Sequence, residues 1–299
     1  MIKPRILIAP GWLDSTNAYA EYIMMYAGDE FCFEKTFFEH ANPDDYDLYF
    51  PLFATIKQPW EFNFQKTVRI VYEPHEIGLL DEYNPAVTTT CENMFEMVNG
   101  RFKEQGQKYF LTPFGIDHHL FRPLKTARTD SLFRIGFVGG LDNPRKNFED
   151  IIKPLGNIAD SRLITSNAWA GINGAVIRQW HGMPYFYSQI DALVLGSSFE
   201  GLCFPILEAA ACGIPIVSTN VGVAKEFEGI FTVDFEIDDD NEMIDKEGVS
   251  AQLREKLEFL RDNPEERKRM GEKNREMVLD KWTWKDRIKE FKKFFRGGL

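Results

Sequence analysis

Short apolar segments alternate with longer segments of helical periodicity, and this alternation constrains the fold more than any other feature of the sequence. Nearly continuous apolar runs are typical of strands that helices cover on both faces of a sheet. The sequence therefore predicts an α/β protein with parallel sheets built from βαβ units. The predicted strands are Arg5–Ala9, Leu48–Phe53, Val68–Tyr72, Val87–Thr90, Tyr109–Thr112, Phe133–Val138, Arg162–Thr165, Ala192–Leu195, Ile214–Ser218 and Phe231–Val233.

A segment near residues 121–131 separates two groups of these strands. It carries turn-forming residues, it has no apolar periodicity, and a new strand begins directly after it at Phe133. A chain of 299 residues is also long enough for two domains of ordinary size. We therefore predict a first domain that ends at residue 122 and a second that begins at residue 123.

Charge and cysteine content exclude several classes of protein. There are 35 basic and 46 acidic residues, and a formal net charge of −11 argues against broad electrostatic binding of nucleic acid. The 4 cysteines form no Cys-x-x-Cys pair, so reduced thiols are expected and a zinc site is not. With neither a signal peptide nor a membrane span, the sequence predicts a cytoplasmic protein. The basic face of the last amphipathic segment, Trp282–Phe295, leaves peripheral membrane contact as an alternative.

The segment Ser197–Ser218 concentrates the residues with chemical potential. Pro205 suits the first turn of a helix, and Gly213 suits its C-terminal cap. Unpaired amides at the start of such a helix attract phosphate. Glu200 before the helix and Glu208 within it would suit a ligand that carries hydroxyl groups as well as phosphates. The amides expected to point outward belong to Gly201, Leu202 and Cys203.

This segment resembles the retaining glycosyltransferases of the GT-B fold, in particular family 4. Two glutamates with seven residues between them stand in a Glu-Gly-x-x-x-Pro-x-x-Glu-Ala context, here Glu200 to Ala209. Three further segments match in order: Thr112–Pro123, Phe137–Asn147 and Trp282–Trp284. The resemblance covers residues 133–295 well and the first part of the chain more loosely. It implies two facing Rossmann-like domains with a cleft between them: an acceptor domain of residues 1–122, with the helix 281–299 packed back on it, and a donor domain of residues 123–280.

The resemblance also implies the roles of individual residues. Lys146 would bind the diphosphate of a nucleotide-sugar donor, with help from Arg145. Glu208 would hold the ribose hydroxyls, and Glu200 would hold hydroxyls of the transferred sugar. His75 would lie near that sugar. The amides that would complete the donor cradle belong to Gly201, Leu202, Cys203 and Phe204.

Two departures from the family pattern bear on the site. Gly140 stands in the donor loop where family members commonly have arginine, so one phosphate-binding cation is missing there. The Gly-rich loop of the first domain retains only Gly11. Weaker candidates for contact with the acceptor are Gly11, Asp14 and Glu73.

The resemblance thus implies a retaining transferase that needs no metal or other cofactor. A sugar would move from a UDP- or GDP-sugar to a glycan, lipid-linked or other hydroxyl acceptor. Because of Gly140, a non-catalytic nucleotide-sugar-binding or scaffold protein remains an alternative. A nucleotide-sugar epimerase of similar fold is a second alternative.

Overall fold

The computed structural model describes residues 2–10, 14–52, 62–71, 86–92, 95, 108–126, 130–166, 180–238 and 242–299. The strands are β1 (Arg5–Ala9), β2 (Cys32–Lys35), β3 (Leu48–Pro51), β4 (Arg69–Val71), β5 (Ala86–Thr89), β6 (Lys108–Leu111), β7 (Phe133–Phe137), β8 (Ser161–Thr165), β9 (Ala192–Leu195), β10 (Ile216–Thr219) and β11 (Ile230–Val233). The α-helices are α1 (Asp14–Ala27), α2 (Met183–Tyr187), α3 (Phe204–Ala211), α4 (Lys246–Asp262), α5 (Pro264–Lys281) and α6 (Trp284–Gly298). Short 3₁₀ segments cover Phe38–His40, Pro43–Asp45, Phe64–Lys66, Pro144–Lys146, Lys153–Asn157, Trp180–Gly182 and Ala224–Glu226, and a π-helical turn covers Phe148–Ile152.

Ten of these strands lie within a residue or two of the predicted segments, and β2 was not predicted. The prediction failed there because Cys32–Lys35 is an edge strand. Its residues alternate between exposed and half-buried positions, so it lacks the continuous apolar run by which the other strands were found. The prediction of parallel sheets is confirmed, since each strand pairing described in the sheets is parallel.

The chain divides into two compact units. Unit 1 contains residues 1–115 and 284–299, and unit 2 contains residues 116–283. The break comes slightly before the predicted boundary at residue 122, because the intervening residues pack within unit 2. There Ile116 donates its N–H to the carbonyl of Trp282 at 2.8 Å, and Phe121 is fully buried.

Unit 1 contains the strand orders β2-β1-β3 and β4-β5-β6. A parallel bridge between Tyr49 and Thr67 joins the two sheets. Helix α6 belongs to this unit and buries one apolar face in it, with Phe294 lying 5.7 Å from Phe50 and 5.7 Å from Phe110 between ring centroids. This packing of aromatic rings explains part of the high phenylalanine content, 26 residues in the chain.

Unit 2 holds one five-stranded sheet in the order β8-β7-β9-β10-β11. Strands β7, β9 and β10 are buried along their whole length. Helix α4 supplies Val249, Leu253 and Leu257 to the core that covers one face. Among the described residues, no helix is both long enough and apolar enough to cross a membrane.

Candidate active site

The strand order of unit 2 reverses direction between β7 and β9. The chain runs from β7 outward to β8 and then returns to β9, so the loops that follow β7 and β9 leave the sheet in opposite directions. In open α/β sheets, ligands bind outside the carboxyl ends of strands at such a switch point. The loop after β7 leads to Lys146, and the loop after β9 leads to Glu200.

These two loops meet through an ion pair between Lys146 and Glu200. The Lys146 ammonium donates to Oε1 of Glu200, and both side chains are only 14% exposed. The hydroxyl of Ser197 donates to the same carboxylate oxygen at 2.7 Å. The pair therefore joins residues 54 positions apart at the carboxyl ends of neighbouring strands.

The lysine keeps its positive charge in this setting. Burial lowers the pKa of Lys146, but opposing interactions, led by the carboxylate of Glu200, more than offset that effect, and the pKa is raised above its ordinary value. The guanidinium of Arg145 also lies within electrostatic reach and acts in the lowering direction. Arg145 is therefore a second cation within electrostatic reach of Lys146.

Asn147 holds the loop after β7 against the loop after β9. It is buried and adopts the left-handed conformation (φ 49°), which asparagine tolerates better than most residues. Its side-chain amide donates to the carbonyl of Gly196 at 2.9 Å. The amide of Ser198 donates to the carbonyl of Arg145 at 2.9 Å. The backbone on which Lys146 stands is thus fixed from the neighbouring strand.

Helix α3 begins directly beside the ion pair. Its N-cap, Cys203, has φ 65° and turns the chain sharply into the helix, and Pro205 occupies the first turn. The amides of Gly201, Leu202 and Cys203 lie in buried backbone and donate to no other residue that the structure describes. Buried N–H groups at a helix start need an acceptor, and an anionic ligand can provide it.

A tight turn after β10 packs against the loop that carries these three amides. Gly222 has φ 55°, and a side chain there would come within 2.8 Å of the Leu202 carbonyl oxygen and 2.9 Å of the Cys203 Cβ. The amide of Val223 donates to the carbonyl of Leu202 at 3.3 Å. The shape of the loop before α3 therefore depends on glycine at position 222.

The thiol of Cys203 is buried at the start of α3. Burial, followed by the charge of Glu200, raises its pKa well above the ordinary range. The thiol therefore stays protonated and is a poor nucleophile.

Glu208 lies further along α3 and is bound by a residue from another helix. The hydroxyl of Tyr187, at the end of α2, donates to Oε2 of Glu208 at 2.8 Å. Glu208 is 4% exposed, and Tyr187 is fully buried. Burial and the charge of Glu208 raise the pKa of Tyr187 well above its ordinary value, so the tyrosine remains a donor.

The structure places the predicted donor residues in one region of unit 2. Lys146 and Glu200 are in contact, and Arg145 lies within electrostatic reach of Lys146. Gly140 is exposed in the loop after β7, and Phe204 begins α3. The predicted amides of Gly201, Leu202 and Cys203 lie at the start of that helix. As predicted, Gly213 ends the helix, with φ 73°.

The predicted residues of the first domain are less well defined. His75, Glu73 and Gly11 lie outside the described residues. Asp14 begins helix α1, of which only the backbone is described at that position. These four predictions stay predictions.

Sequence reasoning missed three residues that shape the site: Ser197, Asn147 and Tyr187. Ser197 and Asn147 lie within three residues of the predicted Glu200 and Lys146, so their position at the carboxyl ends of strands was an available signal. Tyr187 had no such signal, because its contact with Glu208 depends on the packing of two helices.

Among the described residues, no three His, Cys, Asp or Glu side chains are grouped as metal ligands.

Comparisons of sequence identify similarity to glycosyltransferases. Residues 156–293 match the model of a family described as glycosyl transferase-like. The chain is also 43% identical over 47 residues to O-antigen chain mannosyltransferase B from Escherichia coli. That alignment covers 16% of this chain and 12% of the mannosyltransferase, so it reports on a short segment of a much longer relative.

Solved structures resemble this chain over nearly its full length. WaaG, described as a glycosyltransferase involved in lipopolysaccharide biosynthesis, is 10% identical with a TM-score of 0.65, covering 97% of this chain and 99% of its own. HepE from Anabaena, in complex with UDP and glucose, is 11% identical with a TM-score of 0.64, covering 97% and 98%. A sucrose-phosphate synthase from Thermosynechococcus elongatus is 15% identical with a TM-score of 0.63, covering 94% and 78%. These likenesses confirm the predicted α/β GT-B fold.

Proposed function

We propose that this chain is a retaining, metal-independent glycosyltransferase that moves a sugar from a UDP- or GDP-sugar to a hydroxyl acceptor. The observation that carries the proposal is the contact between Lys146 and Glu200 beside the buried amides of Gly201, Leu202 and Cys203. The match of residues 156–293 to a glycosyl transferase-like family supports it. So does the GT-B fold, which HepE uses to hold UDP and glucose.

In this proposal the diphosphate binds at the start of α3. The amides there and the ammonium of Lys146 supply donors and positive charge where the leaving phosphate develops negative charge. Arg145, within electrostatic reach of Lys146, supplies the second cation that Gly140 cannot. This arrangement needs no divalent metal, because protein groups neutralise the leaving group.

Glu200 changes partner when the donor binds. A diphosphate is a strong acceptor for an ammonium, so it takes over Lys146 and leaves the carboxylate of Glu200 available to hydroxyls of the sugar. Ser197 keeps one carboxylate oxygen of Glu200 in place during this exchange. Glu208, on helix α3, accepts hydrogen bonds from the ribose.

The reaction exchanges one bond to the anomeric carbon for another. The bond from that carbon to the diphosphate oxygen breaks, and a bond to the acceptor oxygen forms on the same face of the sugar. The acceptor's proton passes to the departing phosphate, which leaves as nucleoside diphosphate. Retention of anomeric configuration follows from attack on the face of departure.

The acceptor is proposed to be a glycan or a lipid-linked saccharide bound by unit 1. The similarity to an O-antigen mannosyltransferase and to a glycosyltransferase involved in lipopolysaccharide biosynthesis supports this class. The proposal includes a cytoplasmic location, with the basic side of α6 as the surface for peripheral membrane contact.

The proposal is tested by measuring nucleoside diphosphate release from UDP- and GDP-sugars with saccharide acceptors, in buffer containing EDTA. Lys146→Ala is expected to lower turnover by about 100- to 1,000-fold, since one preorganised donor is worth about 2.7–4 kcal/mol. Glu200→Ala is also expected to lower turnover strongly, because it removes the acceptor for the sugar hydroxyls. Glu208→Ala is expected mainly to raise KM for the donor. Nuclear magnetic resonance of the product would give the anomeric configuration.

Three results would contradict the proposal. Unchanged turnover in all three variants would show that these residues do not form the active site. Binding of donor without release to any acceptor would indicate a nucleotide-sugar-binding protein. An epimerised sugar in incubations with donor alone would indicate an epimerase.

A further inference from the structure

We propose that Tyr187 is a positioning residue of the donor site, acting on the nucleotide ribose through Glu208. This inference rests on the proposed function, because it takes Glu208 as the group that accepts hydrogen bonds from the ribose hydroxyls. It assigns a role in donor recognition to a residue of α2, a helix that carries none of the predicted site residues.

The contact between Tyr187 and Glu208 is short and buried. The phenolic hydroxyl donates to Oε2 of the carboxylate at 2.8 Å, and the two residues are 0% and 4% exposed. The ring of Tyr187 is held by Phe121, at 6.3 Å between ring centroids, and by Phe186, at 5.5 Å. The tyrosine ring is therefore held in place, and its hydroxyl orients the carboxylate of Glu208.

Glu208 stands within electrostatic reach of the diphosphate cradle. The buried thiol of Cys203 experiences the charges of Glu200, Lys146 and Glu208 together, after the dominant effect of burial. Cys203 is also the N-cap of α3, where the diphosphate is proposed to bind. A ribose attached to that diphosphate would thus meet the carboxylate that Tyr187 orients.

The carboxylate of Glu208 has more acceptor positions than the one that Tyr187 occupies. An ionised carboxylate has about four lone-pair positions, and the hydroxyl of Tyr187 uses one of them. A buried charge is costly unless hydrogen bonds satisfy it, and the hydroxyl of Tyr187 supplies one of them to Glu208. The pair can present an oriented acceptor to the two adjacent hydroxyls of a ribose.

The test substitutes phenylalanine for tyrosine, because Tyr187→Phe keeps the ring and removes only the hydroxyl. Calorimetric titration is made with the nucleoside diphosphate that the wild-type protein binds and with its 2′,3′-dideoxy analogue. The expected result is about a tenfold higher Kd for the ribonucleotide in the variant, as for loss of a hydrogen bond to a charged group. The dideoxy analogue, which has no ribose hydroxyls for Glu208, is expected to bind both proteins equally. In turnover, KM for the donor should rise while kcat changes little, as expected for loss of uniform binding.

Tyr185→Phe is the matched control. Tyr185 lies two residues earlier on α2 and is 57% exposed, and its variant is expected to bind both nucleotides as the wild type does. Should Tyr187→Phe fail to fold, the double variant Tyr187→Phe/Glu208→Ala removes the buried carboxylate as well. It is expected to bind the ribonucleotide as Glu208→Ala alone does, because no carboxylate is left for Tyr187 to orient.

The outcomes separate this inference from the proposed function. Equal weakening of both nucleotides by Tyr187→Phe, or no weakening, would overturn the inference and leave the proposed function standing. A further loss in the double variant beyond Glu208→Ala would also overturn it. If the wild-type protein binds no nucleoside diphosphate, the proposed function and the inference both fail.

Discussion

The ion pair between Lys146 and Glu200 should contribute measurably to the stability of unit 2. Lys146→Met keeps most of the side-chain volume and removes the charge, so the carboxylate of Glu200 is left with the hydroxyl of Ser197 as its remaining described donor. Both side chains are 14% exposed, so little water can replace the ammonium. Removing one partner of a buried pair costs about 3–5 kcal/mol. Because Ser197 stays, we expect the lower end, about 3 kcal/mol.

The assay is urea unfolding followed by circular dichroism, with thermal unfolding in parallel. A loss of about 3 kcal/mol corresponds to a fall in Tm of roughly 6–12 °C for a unit of this size. The m-value should stay unchanged, because the variant alters stability and not the surface exposed on unfolding.

Two further variants make the measurement specific to the pair. Lys146→Met/Glu200→Gln removes both charges, and it should recover most of the stability that Lys146→Met loses. Lys153→Met breaks a surface pair with Glu149, in which the side chains are 62% and 64% exposed. No measurable loss is expected there, because exposed pairs contribute little. The reasoning would be refuted if Lys146→Met and Lys153→Met were equally stable, or if the double variant were less stable than Lys146→Met.

Four other substitutions test the local structure. Gly222→Ala and Gly213→Ala each force a side chain into a left-handed conformation, at a cost in stability of about 1–2 kcal/mol each. Only Gly222→Ala, whose side chain meets the Leu202 carbonyl, should also raise the Kd of the nucleoside diphosphate. Equal Kd values for the two variants would contradict this. Cys203→Val should destabilise more than Gly213→Ala, because a β-branched residue at φ 65° is strained, and a wild-type Tm would count against it. Phe294→Ala should cost about 3–5 kcal/mol in unit 1, measured by urea unfolding. A smaller loss than about 1 kcal/mol would mean that α6 is not packed into that unit.

The sequence could predict the elements whose signals are local. The strand β9, the start of α3 at Pro205 and its end at Gly213 follow from an apolar run and two residues with restricted or permissive backbones. The edge strand β2 could not be found in this way, because its residues are only half covered. Its place is fixed by pairing with β1, and that pairing is a tertiary property.

In the candidate site, too, single residues could be predicted from local sequence, whereas the contacts between them could not. Lys146, Glu200 and Glu208 were identified one by one from a resemblance in their surrounding sequence. The direct pairing of Lys146 with Glu200 required the fold, because 54 residues separate them. The bond between Tyr187 and Glu208 was not predicted, since it depends on how α2 packs against α3.

The claim that Lys146 and the start of α3 form a nucleoside diphosphate site is tested most directly by calorimetric titration. UDP and GDP would be titrated into the wild-type protein and into Lys146→Met, in buffer containing EDTA and at a temperature where the variant is folded. The account predicts that the wild type binds one of the two nucleotides. It predicts a Kd at least about 100-fold higher for Lys146→Met, because the variant loses a buried charged donor to the diphosphate. Absence of binding by the wild type, or equal Kd values for the two proteins, would contradict it.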